Sequence, residues 1–205
     1  MSASKDIEST RDAGPRDTRQ RILTAAVELF RRRGYTGTGM KQIAEAAGAP
    51  FGSIYHFFPG GKAQLGEEVV RTSGVVYLDL VAGLMTPYED RVAATADVFI
   101  AAADTLRELD FADPCPIATV AMEVANTNEQ LRQATSEVFG NWIEEIAAYY
   151  AAGGIPEPAA RETASSVIAL LEGAFMLGRA ARSTEPVLAA SRAAAAIVRA
   201  AAAGE

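Results

Sequence analysis

One cysteine, one histidine and one tryptophan stand in 205 residues. A single thiol closes no disulfide within the chain, so the fold must be held by burial, and a reducing, cytoplasmic setting is expected. Cys115 has no Cys/His/Asp cluster at zinc spacing around it, so no metal site is expected. It stands between Pro114 and Pro116 at an expected helix start, which favours a low-pKa thiol; a plain buried cysteine is the competing reading. His56, alone, is not half of a catalytic pair, and the neighbouring carboxylates Glu144 and Glu145 fall on what reads as a solvated face. No glycine-rich loop follows a strand to hold a dinucleotide, so no cofactor is expected and an enzyme is disfavoured. Long uncharged apolar runs are missing as well. None reaches the ~20 residues of a membrane span. Residues 1–17 contain no apolar stretch and read as a polar, disordered arm rather than a signal peptide.

Positive charge is scarce over the whole chain, whose formal net charge is -7. It is also unevenly placed. Residues 18–66 carry seven basic side chains (Arg19, Arg21, Arg31, Arg32, Arg33, Lys41 and Lys62) against Glu28 and Glu45, a balance of +5. Residues 67–205 carry -11. A basic head on an acidic body directs phosphates to one end; a solvated basic face without a partner is the bland alternative.

What is present in that head is a helix-turn-helix pattern. Met40, Ile43, Ala44 and Ala47 recur at helical spacing, with Thr38 placed to cap their helix. Gly48 suits the left-handed residue that ends it, and Pro50 suits the first turn of the next. Two short helices joined by about four residues with a glycine describe a unit whose second helix enters a major groove. Ile43, Ile54 and Phe58 read as its core.

The run TRQRILTAAVELFRRRGYTGTGMKQIAEAAGAPFGSIYHFFPGGKAQL resembles the DNA-binding domain of the TetR/AcrR family of transcriptional regulators. The resemblance rests on IL-x-AA-x-x-LF before Gly-Tyr, on Ile-Ala in the second helix, and on Gly-x-Ile-Tyr-x-x-Phe in the third. The one-residue-longer FFPGGK and the stretch PCPIATVAMEVAN resemble the LmrA/YxaF subgroup. The resemblance implies double-stranded operator DNA as partner and roles for particular residues. Thr38 would donate to a phosphate, and Lys41 would reach a phosphate or a guanine edge. Gly52 would let the recognition helix approach the bases, and Ser53 would point along the groove. Tyr55, His56 and Lys62 would grip phosphates. Lys41 and Lys62 merely solvated, and Tyr55 half in the core, are the competing readings. Ala49-Pro50-Phe51 departs from the family, where small polar or basic residues are common; Phe51 either meets a thymine methyl or packs beneath its helix.

Beyond the head the chain reads as helical throughout, with breaks at Thr86-Pro87, 113–116, 153–156 and Glu185-Pro186. These predict helices over 63–84, 88–110, 117–126, 128–152, 157–182 and 186–203, about nine in all. The fold class is all-α: an arm (1–17), a helix-turn-helix head (18–66) and a ligand-binding and dimerisation body (67–205). In the last two helices Val167, Leu170, Leu171, Ala174, Leu177, Gly178 and Ala181, then Val187, Leu188, Ser191, Ala194, Ala195 and Val198, form apolar stripes with small residues. They predict a homodimer through these helices, with burial inside one protomer as the alternative. Among the body's large apolar side chains, Met122, Trp142 and Phe175 are candidates to line a pocket. The resemblance implies a small lipophilic or aromatic effector there, hence a ligand-responsive repressor. A constitutive DNA-binding protein without an effector is the alternative, and it would show no internal cavity.

Overall fold

A computed structural model describes residues 15–112 and 115–204. Among the described residues there are nine helices and no strand: α1 (Pro15–Arg33), α2 (Met40–Ala46), α3 (Phe51–Phe57), α4 (Gly61–Met85), α5 (Arg91–Glu108), α6 (Pro116–Val124), α7 (Glu129–Ala152), α8 (Glu157–Ala181) and α9 (Glu185–Ala203). The last three residues of the expected arm are therefore helical, and the rest of it lies outside the described residues. The expected element bounds differ from these by up to three residues. The largest shift is at α5, where Asp90 rather than the Pro87 break sets the start. Its carboxylate accepts the N–H groups of Val92 and Ala93 at 2.8 and 3.3 Å, so the helix cannot begin earlier.

In the head, α1 places Asp17 in its first turn and Arg31, Arg32 and Arg33 in its last, matching the helix dipole at both ends. Ile22, Ala26 and Phe30, four apart, are fully buried against Ile43 of α2, Ile54 of α3 and Phe58. Gly48 takes φ 58° and turns the chain between α2 and α3 as its position predicts.

From the head α4 continues for 25 residues, about 37 Å, into the body. It lies so close to α7 at Gly74 that a Cβ there would stand 2.6 Å from Val138 Cγ1. Trp142 of α7 donates its indole N–H to the Gly74 carbonyl at 2.8 Å, fixing that approach. The apolar cluster that holds the head does not stop at its expected boundary. It runs from Phe30, Ile43 and Ile54 through Leu65 and Val69 of α4 to Ile117, Val120, Leu131 and Trp142. A second cluster joins the far end of α4 to α5, α7, α8 and α9 through Phe99, Leu106, Tyr150, Ile155 and Val187.

By length and composition alone α8 and α9 could cross a membrane. Here α8 packs on α7 and α9, and α9 packs on α5. Ser191 of α9 donates to the Ala96 carbonyl of α5 at 3.1 Å.

Tyr150 is fully buried at the centre of the second cluster. Thr95 donates to the Arg91 carbonyl at 2.8 Å, which leaves its oxygen to accept the Tyr150 O–H at 2.9 Å. Burial pushes the phenol up from 10.0 to about 12. An acid whose folded pKa is raised adds stability that is complete below the unfolded value and is lost as pH rises through the folded one. Between pH 10 and 12 the protein should therefore lose roughly 2–3 kcal/mol that Tyr150→Phe does not lose. Urea titrations of both proteins across that window check this; equal losses would contradict it.

Candidate nucleic-acid interface and body cavity

The outer surface of the head is built by α3, whose seven residues bury only Ile54. One residue before Ile54, Ser53 is half-buried, and one after, Tyr55 is 47% exposed. Gly52 and His56 are exposed. A side chain at Gly52 would meet nothing of the protein within 4 Å, so its absence leaves open space in front of the helix backbone. Phe51 is 50% exposed and touches Tyr55 edge-on at 5.5 Å between ring centres. Of its two readings, packing beneath the helix is therefore not what the structure shows; the ring stands outside. Lys41 projects from the first turn of α2 with its ammonium 4.0 Å from Glu45, largely in solvent.

Thr38 requires a correction. It is 1% exposed, and its hydroxyl donates to the Gly34 carbonyl at 2.8 Å. The residue that caps α2 is Gly39, and the Gln42 side chain accepts the Gly39 N–H at 2.8 Å. One position earlier than the cap, Thr38 faces inward and closes the turn after α1 instead of offering a donor to a phosphate.

Lys62, in the first turn of α4, is half-buried with its ammonium 4.4 Å above the Tyr35 ring. Burial lowers its pKa from the ordinary lysine value, and the Glu123 carboxylate acts against that shift. Neither of the two expected readings, solvated or simply phosphate-bound, anticipates this partly covered site.

Several of the head's arginines serve the fold. Arg21 donates to the carbonyls of Ala47 and Gly48 at 2.7 and 3.1 Å, holding the end of α2 against α1. Arg19 pairs with Glu68 and lies over Phe58. Arg31 pairs with Glu28 at 3.2 Å. The charge count missed these duties, because composition does not tell an arginine that ends a helix from one that faces DNA.

In the body a cavity of about 230 Å³ opens among α4, α5, α7 and α8. Trp142 and Phe175 line it with Val98, Phe99, Tyr150 and Leu171. Six of its residues, from Tyr77 to Met85, belong to α4. Most of its polar atoms are already engaged, the Trp142 indole with Gly74 and the Tyr150 hydroxyl with Thr95. Glu172 is the one charged side chain among the described residues around it.

Met122 is a second correction. It is 74% exposed and takes no part in the cavity. The buried face of α6 is Ile117, Val120 and Val124, and two residues beyond Val120 is about 200° around the helix. Cys115, by contrast, is 2% exposed and lies in the cavity wall, where its Sγ accepts the Ala118 N–H at 3.4 Å. It is the buried cysteine of the two readings, placed at the N-cap of α6.

The stripes on α8 and α9 divide between the two expected fates. Val167, Ala174, Gly178, Val187, Ser191, Ala194 and Val198 are buried within the protomer. Met176, Leu177 and Leu188 are exposed by 55%, 59% and 37%.

Residues 22–69 match the bacterial regulatory proteins of the tetR family, and residues 92–193 match the C-terminal domain described as transcriptional regulator LmrA/YxaF-like. The HTH-type transcriptional regulator LmrA of Bacillus subtilis is 34% identical over 84% of this chain and 92% of its own. The chain belongs to the TetR family. Its fold is shared with regulatory protein TetR from Rhodobacter sphaeroides, at TM-score 0.78 and 19% identity over 88% of this chain and 98% of that one. It is shared also with the transcriptional regulator FadR from Bacillus subtilis in complex with stearoyl-CoA, at TM-score 0.65 and 16% identity over 91% and 98%. This TetR-family regulator therefore carries a DNA-binding head of known type on an LmrA/YxaF-like body.

If Lys62 meets a phosphate, as the resemblance implies, that contact acts without regard to sequence. Lys62→Ala should weaken binding to all duplexes and lower the slope of log K against log salt by about 1. Ser53→Ala should alter base preference more than overall affinity. A salt slope unchanged in Lys62→Ala would remove Lys62 from the interface.

Proposed function

We propose that this TetR-family regulator is a homodimeric repressor that binds an inverted-repeat operator in the cytoplasm. A compact lipophilic or aromatic effector in the body cavity would release it. The observation that carries this reading is that one helix, α4, runs from the head to the cavity. The far half of α4 walls the cavity, and its first turn holds Lys62 beside α3. A ligand that moved this 25-residue rod would move the head with it. Such a ligand must prefer the conformation that binds DNA poorly, since equal affinity for both shifts nothing.

The cavity lining favours an apolar molecule, and about 230 Å³ is small beside the ~300–1,000 Å³ of drug-sized sites. FadR, which shares the fold, is known in complex with stearoyl-CoA, and this supports a small-molecule effector for a protein of this shape. A constitutive DNA-binding protein has no use for a cavity of this kind. Dimerisation is supported by the exposed apolar side chains of Met176, Leu177 and Leu188 on the long helices α8 and α9. Tyr55, His56, Lys41 and Lys62 would meet phosphates while Gly52 and Ser53 face the bases.

Operators selected from a random duplex pool should show a dyad, because a two-fold dimer reads two half-sites. Compounds screened for release of that DNA should also change the emission of Trp142, which lines the cavity. Phe175→Ala should keep operator affinity but reduce the effector's influence, whose expected size is about 5–150-fold. A footprint without a dyad, a monomer at micromolar concentration, or release unaffected by Phe175→Ala would each count against the proposal.

A further inference from the structure

Glu123 lies in the last turn of α6, on the body, yet its carboxylate is spent on the head. Oε2 accepts the backbone N–H of Thr36, in the turn between α1 and α2, at 2.5 Å. Oε1 lies where a side chain on residue 34 would be, since a Cβ on Gly34 would stand 1.9 Å from it. Gly34 itself takes φ 76°, so its conformation and its missing side chain both serve the contact. The same carboxylate acts electrostatically on Lys62, the half-buried lysine over the Tyr35 ring. Gly34, Thr36 and Lys62 thus gather around one acidic group that comes from outside the head.

The other end of α6 reaches the cavity. Cys115, its N-cap, lies in the cavity wall, and Ile117, Val120 and Val124 bury along the core that joins head and body. Cys115 at the wall and Glu123 at the clasp are eight positions apart along α6, about 12 Å. A hydrogen bond from a backbone N–H to a carboxylate is short, directional and stronger than one between neutral groups. Apolar contacts alone allow a helix to slide, whereas this bond fixes the register of α6 against the turn before α2.

We propose that Glu123 is a positioning residue for DNA binding, a clasp by which the body sets the orientation of the α1–α2 turn and hence of α2 and α3. This rests on the proposed DNA-binding function for its consequence, but the clasp itself is observable without DNA. Glu123 does not touch DNA; it acts through Gly34 and Thr36.

The test compares full-length wild type, Glu123→Gln and Glu123→Ala by amide hydrogen exchange without DNA and by affinity for a duplex that the wild type selects from a random pool. Glu123→Ala should speed exchange at Thr36 and weaken operator binding about tenfold, with the thermal midpoint little changed. Glu123→Gln keeps an acceptor oxygen and should stay within about threefold of wild type. Unchanged exchange in Glu123→Ala would overturn the clasp. Faster exchange with unchanged affinity would make it a local contact with no bearing on the head's orientation. Equal weakening in Gln and Ala would mean that negative charge near Lys62, not the hydrogen bond, is what acts. Should the wild type select no sequence, the regulator reading fails, and the exchange measurement alone decides the clasp.

Discussion

The apolar core that passes through the junction of head and body is the constraint on which the other features depend. Phe30, Ile43 and Ile54 of the head share one buried cluster with Ile117, Val120, Leu131 and Trp142 of the body, with Leu65 and Val69 of α4 between them. Each such side chain contributes ~1.5–3 kcal/mol by burial. The ion pair that does cross the junction, Arg19–Glu68, is part-exposed and contributes ~0–1 kcal/mol. The head is therefore set on the body mainly by packing. Directional contacts then fix geometry within the head, within the body and between the two.

Those contacts come from few residues. Arg21 ties α1 to the end of α2, the indole of Trp142 pins α7 to Gly74, and Glu123 ties α6 to the turn after α1. All three join elements far apart in sequence and use a backbone group as one partner. A backbone partner cannot swing away as a surface side chain can, so each contact defines geometry more than it adds stability. The cavity lies at the other side of this arrangement, walled by α4 and by the N-cap of α6, the two elements that also touch the head. Under the proposed function, a change in the cavity would reach the head through these two helices.

Much of this was legible in the residues. Apolar spacing predicts the helices, Gly48 predicts the turn, and Ile43, Ile54 and Phe58 fall in the core as their positions require. Trp142 and Phe175 line the cavity, and the acidic pair at Glu144 and Glu145 is exposed. The misreadings have definite causes. A threonine before a helix suits both a cap and a buried turn, and only tertiary packing decides that Thr38 turns inward. Residue type alone points to Met122, whereas the phase of α6 puts Val120 and Val124 inside. The duties of Arg21 and Glu123 are between residues 26 and 87 positions apart, a relation that no local spacing records. The apolar stripes of α8 and α9 carried two demands at once, and periodicity alone does not separate an inner face from an adjacent outer one.

If one core carries both the head and the adjoining body, the two lose structure together. Native-state hydrogen exchange in increasing urea measures this directly, through the amides of Ile22, Ala26 and Phe30 in α1 and those of Leu131, Val138 and Trp142 in α7. The account predicts that both sets converge on one opening free energy and one denaturant dependence, as for a single cooperative unit. A head that opens at distinctly lower free energy, with α7 still protected, would contradict it.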